Sequence, residues 1–503
     1  MWTIIFLITI LLILISFIAK YYFYYYNYWN ERGVTAINPI YTFYNFSELV
    51  FRVNKNANRV QDLYFKHQDK RYIGLFQFFR PILMVHDLEL IKKITITDFN
   101  AFPDHNEYPI PLFTDKIFHN NVFSIPAKDG WYGLRSALTP FFSGRKLRDW
   151  YPLMKECAQQ ILDHLDISED ICLNDLFGRY TNEIIGRTTM GISFNSIKDT
   201  NNSFFHSCKH LSNFSGLKGI TYIVYSLYPR LLQVIAPSLI KSKATDFFLQ
   251  LVKENMQYRI EAKIAQQDVV SLLMKYIQKR CKKEEQQFTS KELSNATIEE
   301  VAAGVGVFLV AGFETVSYTL TYIAYELAKN PDVQEKVCNE IQKTLKNFNG
   351  DLTYDAINSM KYMENVISET LRIHLFLSII DRKCVKSYTI EPEKPGEKPI
   401  HLKKGDCVWI PAGAIHNDPR YYPNPQKFDP DRFNDYKTFS YMPFGIGPKN
   451  CLGSRFAMLE SKLIIIEILR RFEIVPVNKT ANGDSTVMDI SIGLNRKTLP
   501  LNG

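Results

Sequence analysis

The chain of 503 residues offers little that would divide it into several domains. Its 23 Gly and 23 Pro are scattered, no long Ser/Gly-rich or Pro-rich tract is present, and no repeat period is visible. Length alone would suggest about three domains. Because no linker supports that number, we expect one large domain behind a short N-terminal appendage.

Cysteine and concentrated charge are also scarce, and both absences exclude classes of function. The eight cysteines form no CxxC pair, which argues against a zinc site and against a secreted disulfide framework. The net charge of +8 is moderate, and the basic residues are dispersed, so nucleic acid is a poor candidate partner. An anionic membrane face or an acidic protein fits this charge better. The cysteines are Cys157, Cys172, Cys208, Cys281, Cys338, Cys384, Cys407 and Cys451.

The N-terminus contains a long apolar run. Trp2 to Ala19 is an uncharged stretch of 18 residues, about 27 Å long as a helix, against a hydrocarbon core of roughly 30 Å. Lys20 and the aromatic band Tyr21–Trp29 follow it, as at a membrane interface. A cleaved signal peptide would need a basic region and a small-residue cleavage site, and neither is present. We therefore predict one transmembrane helix, with Lys20 and Arg32 placing the following domain in the cytosol.

The pattern after the anchor predicts a mainly α domain with a small β region (α+β). We expect residues 1–28 to form the anchor and aromatic boundary, and residues 30–503 to form a single catalytic domain. A charge-rich stretch at 266–293 is expected to be exposed, and a long apolar helix to begin with a cap at Asn295 or Thr297. The main predicted elements are strands Arg71–Phe78 and Arg80–His86 and helices Trp131–Phe142, Leu173–Met190, Ala296–Ala328, Tyr362–Phe376 and Phe456–Leu469.

A glycine-rich loop near the C-terminus contains a lone cysteine, Cys451. If the next helix starts just after Cys451, its N-terminal N–H groups and positive dipole end favour a thiolate. Glycines let the backbone turn tightly and approach a flat ligand, and they occur here at Gly445, Gly447 and Gly453. The alternative is a buried free cysteine without a ligand.

The order Phe444, Gly447, Lys449, Cys451, Gly453 resembles the haem-ligand signature of the cytochrome P-450 superfamily. The resemblance implies the cytochrome P-450 fold and a non-covalent haem b (iron protoporphyrin IX) with Cys451 as the axial metal ligand. The basic position is usually Arg, and its expected partner is a haem propionate. Lys449 keeps the charge but loses the bidentate fork, so we expect a weaker or water-mediated contact.

The long helix contains a second motif, Ala311–Thr315. A charged residue in so apolar a helix costs free energy unless it is paired or functional, and Gly312 costs about 1 kcal/mol relative to Ala. The alternative is a helix with one partly exposed Glu. The pentad resembles the oxygen-activation motif of the family, which implies that Gly312, with Ala311, leaves room for dioxygen. It also implies that Thr315 and Glu314 are the catalytic pair that relays protons.

Glu369 and Arg372 lie at i and i+3, which on one helix face is often only a solvated bridge. With the segment Phe428–Phe433, which contains Arg432, they resemble a structural network of the family that locks the cysteine loop. His374 is interpreted as a packing or surface residue rather than a ligand.

Two further basic positions resemble haem propionate contacts. Trp131 and Arg135 lie at i and i+4 and match the family's WxxxR pattern, and Arg382 matches a basic position of some microsomal members. Each could instead be a surface residue.

The segment from Trp131 to Lys146 and the run from Glu369 to Cys384 resemble the microsomal eukaryotic type of P-450. This implies a monooxygenase that inserts one oxygen atom from O2 into a lipophilic small molecule at the endoplasmic reticulum membrane. Electrons would come from NADPH through NADPH–cytochrome P-450 reductase, or from cytochrome b5, at the face near Arg145, Lys146 and Arg148. Two alternatives are a lipid-peroxide isomerase or dehydratase, against which Glu314 and Thr315 argue, and a haem sensor or carrier.

Overall fold

The computed structural model describes residues 11–12, 15–16, 27–37, 56–77, 80–106, 121–199, 201–212, 243–264, 266–280, 294–435, 438–477 and 490–496. Helices predominate over strands in these ranges, as predicted. The helices are α1 (Asn56–Lys66), α2 (Leu88–Lys92), α3 (Trp131–Leu138), α4 (Gly144–Asp163), α5 (Leu173–Met190), α6 (Ser203–Ser212), α7 (Lys243–Glu261), α8 (Val269–Arg280), α9 (Asn295–Lys329), α10 (Pro331–Asn347), α11 (Tyr354–Ser359), α12 (Lys361–Ile373), α13 (Ala412–His416) and α14 (Ser454–Arg471).

The strands form three small sheets. The four-stranded sheet has the order β1-β2-β7-β4, in which β1 and β2 are the predicted hairpin and β7 runs parallel to β2. The other sheets have the orders β3-β9-β8 and β5-β6. The strands are β1 (Tyr72–Gln77), β2 (Arg80–Val85), β3 (Ile171–Cys172), β4 (Ile380–Lys383), β5 (Tyr388–Ile390), β6 (Ile400–Leu402), β7 (Cys407–Ile410), β8 (Phe472–Pro476) and β9 (Ser491–Arg496).

The long helix α9 lies at the centre of the larger hydrophobic core, in contact with α5. Thr181 Oγ1 on α5 donates to the carbonyl oxygen of Phe313 on α9 over 3.0 Å. The N-cap is Ser294, whose Oγ accepts from the Thr297 N–H at 3.2 Å. The predicted caps, Asn295 and Thr297, are therefore wrong by one and three positions, since both residues lie inside the helix.

The segment that we expected to be exposed, 266–293, is partly buried. Its first half forms α8, an amphipathic helix, and residues 281–293 lie outside the described part of the chain. The charged residues that dominate the composition of this segment hide its apolar stripe, which consists of Val269, Val270, Leu273 and Ile277.

Trp29 corrects the predicted membrane boundary. It is 1% exposed in a second core around the four-stranded sheet, and its Nε1 donates to the Leu75 carbonyl oxygen at 3.0 Å. A side chain at Gly74 would clash with the Trp29 ring, so the two positions are fitted to each other. Trp29 thus belongs to the folded domain, and the rest of the predicted aromatic band, apart from residues 27–28, lies outside the described residues.

One helix of the described chain, α9, is long and apolar enough to cross a membrane. More than half of its most apolar window is buried inside the protein, as expected for a core helix. The predicted anchor, Trp2–Ala19, lies outside the described residues except at positions 11–12 and 15–16, which are helical and exposed.

Candidate active site

The loop before α14 turns back on itself at Cys451. The Cys451 N–H donates to the Phe444 carbonyl oxygen at 2.8 Å, which closes the loop. Gly445 and Gly447 have positive φ values of 73° and 72°, which favour glycine. A side chain at Gly447 would clash with the Thr95 carbonyl, so this glycine allows the loop to pack closely on the protein.

The Cys451 sulfur lies where backbone donors converge. Burial raises the pKa of the Cys451 thiol, while hydrogen bonds from the Gly453 and Ser454 N–H groups and the charge of Arg135 act in the opposite direction. The residue as a whole is nevertheless exposed, so a ligand can reach it. Without a metal, burial favours the neutral thiol. A metal ion bound at the sulfur would supply the positive charge that keeps it deprotonated.

Lys449 is a buried cation beside the cysteine. Its Nζ lies 4.4 Å from the centroid of the Trp131 ring and has no hydrogen-bond partner among the described residues. Burial lowers the pKa of Lys449 to about 7, and the charges of Arg382 and Arg135 act in the same direction. A buried amine next to two other cations is costly unless an anion joins them.

The two arginines reach the same loop from different elements. Arg135, on α3, donates from Nη2 to the carbonyl oxygen and Oδ1 of Asn450 at 2.8 and 2.7 Å. Arg382, on β4, donates from Nη2 to the Ile446 carbonyl oxygen at 3.1 Å. The structure therefore brings three of the predicted propionate contacts together at the cysteine loop.

Trp131 packs against the cations of the cysteine loop. Its Nε1 donates to the Val122 carbonyl oxygen at 3.1 Å, so this N–H is already bonded within the protein. The centroid of its ring lies 5.5 Å from the Arg135 guanidinium carbon and 4.4 Å from Lys449 Nζ. The indole therefore supports the two cations through its ring face.

On α9, the Thr315 hydroxyl donates from Oγ1 to the Ala311 carbonyl oxygen at 2.5 Å. Thr315 and Glu314 are half-buried, and Ala311 is exposed in an otherwise largely buried helix. A side chain at Gly312 would meet Ile185 Cδ1 of α5 at 2.6 Å. The glycine therefore allows the two helices to pack closely, and its role in leaving room for dioxygen stays a prediction.

The predicted network of Glu369, Arg372 and Arg432 is formed. Arg372 Nε and Nη2 donate to the two Glu369 carboxylate oxygens at 2.7 and 2.9 Å, and Arg432 Nε donates to Oε1 at 3.0 Å. The Asp429 N–H adds a bond to the same oxygen at 3.0 Å. Glu369 and Arg372 are completely buried, and among the described residues their opposite charges compensate each other within the network.

His416 connects this network to the cysteine loop, and the sequence analysis missed it. Arg372 Nη1 donates to the His416 carbonyl oxygen at 2.8 Å, and His416 Nε2 accepts from the Met442 N–H at 2.9 Å. Met442 in turn accepts from the Gly445 N–H at 3.2 Å. Burial, together with the charge of Arg372, lowers the pKa of His416 to about 3, so the ring is neutral and can accept.

The basic residues after α3 differ in exposure, since Lys146 is half-buried. Arg145 and Arg148 are exposed on α4, and Arg148 pairs with Asp355 at 2.9 Å. Lys146 lies 3.5 Å from Asp149. Such exposed pairs contribute little to stability and remain available to a partner.

The helical fold and a cysteine loop surrounded by cations are features of a haem protein with a cysteine ligand. The chain matches the Cytochrome P-450 family model over residues 38–501 and belongs to this family. It is 37% identical to Cytochrome P-450 9e2 of Blattella germanica over 89% of this chain and 88% of that protein. It is 34% identical to Probable cytochrome P-450 9f2 of Drosophila melanogaster, over 89% of each chain. It is 30% identical to Cytochrome P-450 6k1 of Blattella germanica, over 89% and 87%.

The family assignment makes the chain a monooxygenase with a haem cofactor that has a cysteine ligand. It also implies that the protein uses O2, a lipophilic substrate and a redox partner. The residues present fit this cofactor. Cys451 is an exposed residue whose sulfur accepts from backbone donors. The buried Lys449 amine, which lacks a partner in the described chain, lies beside Arg135 and Arg382, where propionate anions would satisfy it.

Proposed function

We propose that the chain is a membrane-anchored haem-thiolate monooxygenase of the microsomal type. It inserts one oxygen atom from O2 into a lipophilic small molecule and takes electrons from NADPH through NADPH–cytochrome P-450 reductase, with cytochrome b5 as an alternative donor. The observation that carries the proposal is the loop geometry at Cys451. An exposed cysteine, two backbone donors to its sulfur and a buried lysine without a hydrogen-bond partner among the described residues occur together there.

In this proposal Cys451 is the iron ligand, and Arg135, Arg382 and Lys449 hold the propionates. Bound haem supplies the oxygen-activating iron, and a thiolate ligand favours O–O cleavage. The protein contributes a rigid loop. The loop is held by the buried network of Glu369 and by the hydrogen bonds of His416 and Met442.

Thr315 and Glu314 are proposed to deliver protons. The bond from Thr315 Oγ1 to the Ala311 carbonyl fixes the hydroxyl, so its oxygen lone pairs remain available to accept a proton from a donor. The hydroxyl can pass on its own proton by rotating away from that carbonyl. The half-buried Glu314 carboxyl, one residue earlier, is the proposed source.

The proposed membrane arrangement is a single N-terminal pass at the endoplasmic reticulum with the catalytic domain in the cytosol. The described part of the apolar run supports it, because Leu11, Leu12 and Ile15 are more than half exposed. Exposed leucines and isoleucines in an uncharged run are suited to lipid. The exposed Arg145 and Arg148, together with the half-buried Lys146, are the proposed contacts for the acidic face of the electron donor.

Reductase-dependent dioxygen uptake distinguishes the proposal from its alternatives. With NADPH, the reductase and a lipophilic substrate, we expect dioxygen consumption together with hydroxylated product. A peroxide isomerase or dehydratase would convert lipid hydroperoxides without reductase and consume no dioxygen, and a haem carrier would do neither. Either of these results, in protein that retains its haem, would contradict the proposal.

A further inference from the structure

Three tyrosines follow Thr315 along one side of α9. Tyr318 comes one turn after Thr315, and i and i+3 positions are neighbours on a helix surface. The ring centroids of Tyr318 and Tyr322 lie 4.8 Å apart, and those of Tyr322 and Tyr325 lie 6.0 Å apart. The three rings form a continuous series that leads away from the proposed proton relay.

Two neighbouring rings pack against this series, one at Tyr318 and one at Tyr322. The Phe376 ring lies 5.1 Å from Tyr318, edge to face. The His374 ring is stacked on Tyr322 at 4.0 Å with an interplanar angle of 13°. His374 Nε2 lies 2.6 Å from Glu326 Oε1, so this histidine is fixed as a packing residue with a carboxylate behind it, in agreement with the sequence interpretation.

The series ends at the protein surface. Tyr325 accepts a hydrogen bond from the Lys329 ammonium group at 3.1 Å, and Lys329 is exposed. At the inner end, burial and a hydrogen bond to Tyr322 raise the pKa of Tyr318. Tyr318 is therefore neutral, and it can lose an electron easily only if its phenolic proton leaves with it.

We propose that Tyr318, Tyr322 and Tyr325 form a relay that carries oxidising equivalents from the active site to the protein surface when no substrate consumes them. The inference rests on the proposed function, since it requires a peroxide-oxidised haem site. Phenylalanine rings at these three positions could pack in the same way. The phenol groups are what add a path for electrons and protons.

Each step transfers one electron and one proton. With haem bound and oxidised by peroxide, Tyr318 would give both to the site, which would gain one reducing equivalent, and Tyr318 would become a neutral phenoxyl radical. Tyr322 restores Tyr318 with its own electron and phenolic proton, and Tyr325 restores Tyr322 in the same way. A thiol in solution then gives its hydrogen to Tyr325, and the resulting thiyl radical leaves the protein.

The relay is tested by treating the haem-loaded full chain with hydrogen peroxide without substrate. Samples frozen at short times are examined by electron paramagnetic resonance, and oxidised tyrosines are located by peptide mass spectrometry. We expect a tyrosyl signal and oxidation within the Tyr318–Tyr325 peptide. In Tyr322→Phe, which keeps the ring, we expect loss of the oxidation at Tyr325 and severalfold faster haem bleaching.

Tyr258→Phe is the matched control, because it removes the phenol of a tyrosine that lies outside the series and is 63% exposed on α7. This variant should show the same haem bleaching and the same oxidation at Tyr325 as the wild type. Equal bleaching rates and equal oxidation at Tyr325 in wild type and Tyr322→Phe would overturn the relay. The reduced carbon monoxide spectrum of each sample separates this failure from that of the proposed function. A thiolate-haem band with no tyrosine oxidation contradicts the relay alone, whereas absence of the band contradicts the proposed function.

Discussion

Replacing His416 tests how the buried network holds the cysteine loop. The structure requires a neutral ring at this position, because Nε2 accepts from the Met442 N–H at 2.9 Å. His416→Gln can keep an acceptor oxygen there and has no titrating proton. His416→Leu removes the acceptor and leaves the Met442 N–H buried without a partner, which costs roughly 1–3 kcal/mol.

The pH dependence follows from the pKa of His416, which is lowered to about 3 in the folded protein. The unfolded chain binds a proton at this residue below about pH 6.5, and the folded protein does not until about pH 3. Stability is therefore fully present above pH 6.5 and is lost as the pH falls towards 3. Between pH 7 and pH 5 this residue should remove about 2 kcal/mol from the free energy of unfolding.

The assay is urea unfolding of the haem-loaded chain at pH 7 and pH 5. We expect His416→Gln to resemble the wild type at pH 7 and to lose about 2 kcal/mol less than the wild type on going to pH 5. His401→Gln is the control, since His401 is exposed on β6. Identical pH dependence in the wild type and His416→Gln would refute the claim that His416 is a buried neutral acceptor.

Three further predictions concern the other parts of the account. Thr315→Ala should keep the haem spectrum but release hydrogen peroxide in place of product, with coupling reduced roughly 10- to 100-fold. Its control is Thr319→Ala, which removes a hydroxyl bonded to the Thr315 carbonyl oxygen at 2.9 Å. An unchanged ratio of product to NADPH in Thr315→Ala would contradict the proton relay. Lys449→Met should speed haem transfer to an apoprotein scavenger by roughly tenfold or more, since a charged hydrogen bond contributes about 1.5–3 kcal/mol. Lys449→Arg, which keeps the charge, should not speed the transfer. Equal transfer rates for the wild type and Lys449→Met would exclude a propionate contact. A chain starting at residue 27 should leave the membrane pellet and keep its haem. A chain starting at Asn30 lacks Trp29, and urea unfolding should show that it loses about 3–5 kcal/mol of stability. Stable membrane insertion of the chain that starts at residue 27 would contradict a single anchor.

The sequence predicts best what is local. The cysteine loop and the Glu369–Arg372 pair are short patterns whose chemistry depends on nearby residues in the sequence. The helix α5 likewise coincides with its predicted bounds. His416 could not be found in this way. Its role depends on Met442, which is 26 residues away, and on burial that no local pattern reveals.

Composition and spacing also do not show which way a side chain points, and three residues illustrate this. Trp29 suits a membrane interface and a protein core equally well, and its partner Leu75 is 46 residues away. Gly312 lies in the oxygen-activation motif, but only the structure shows that its side-chain position faces Ile185. The N–H of Trp131 is likewise committed to Val122, a contact that spacing alone does not indicate.

The most direct test of the central claim is the carbon monoxide spectrum of the reduced protein. We predict the red-shifted Soret band of a thiolate-ligated haem in the wild type and in Cys172→Ala, the matched change at the other exposed cysteine of the described chain. Cys451→Ala should lose this band and its stable haem. Retention of the same band in Cys451→Ala would contradict the assignment of Cys451 as the iron ligand and, with it, the account of the loop.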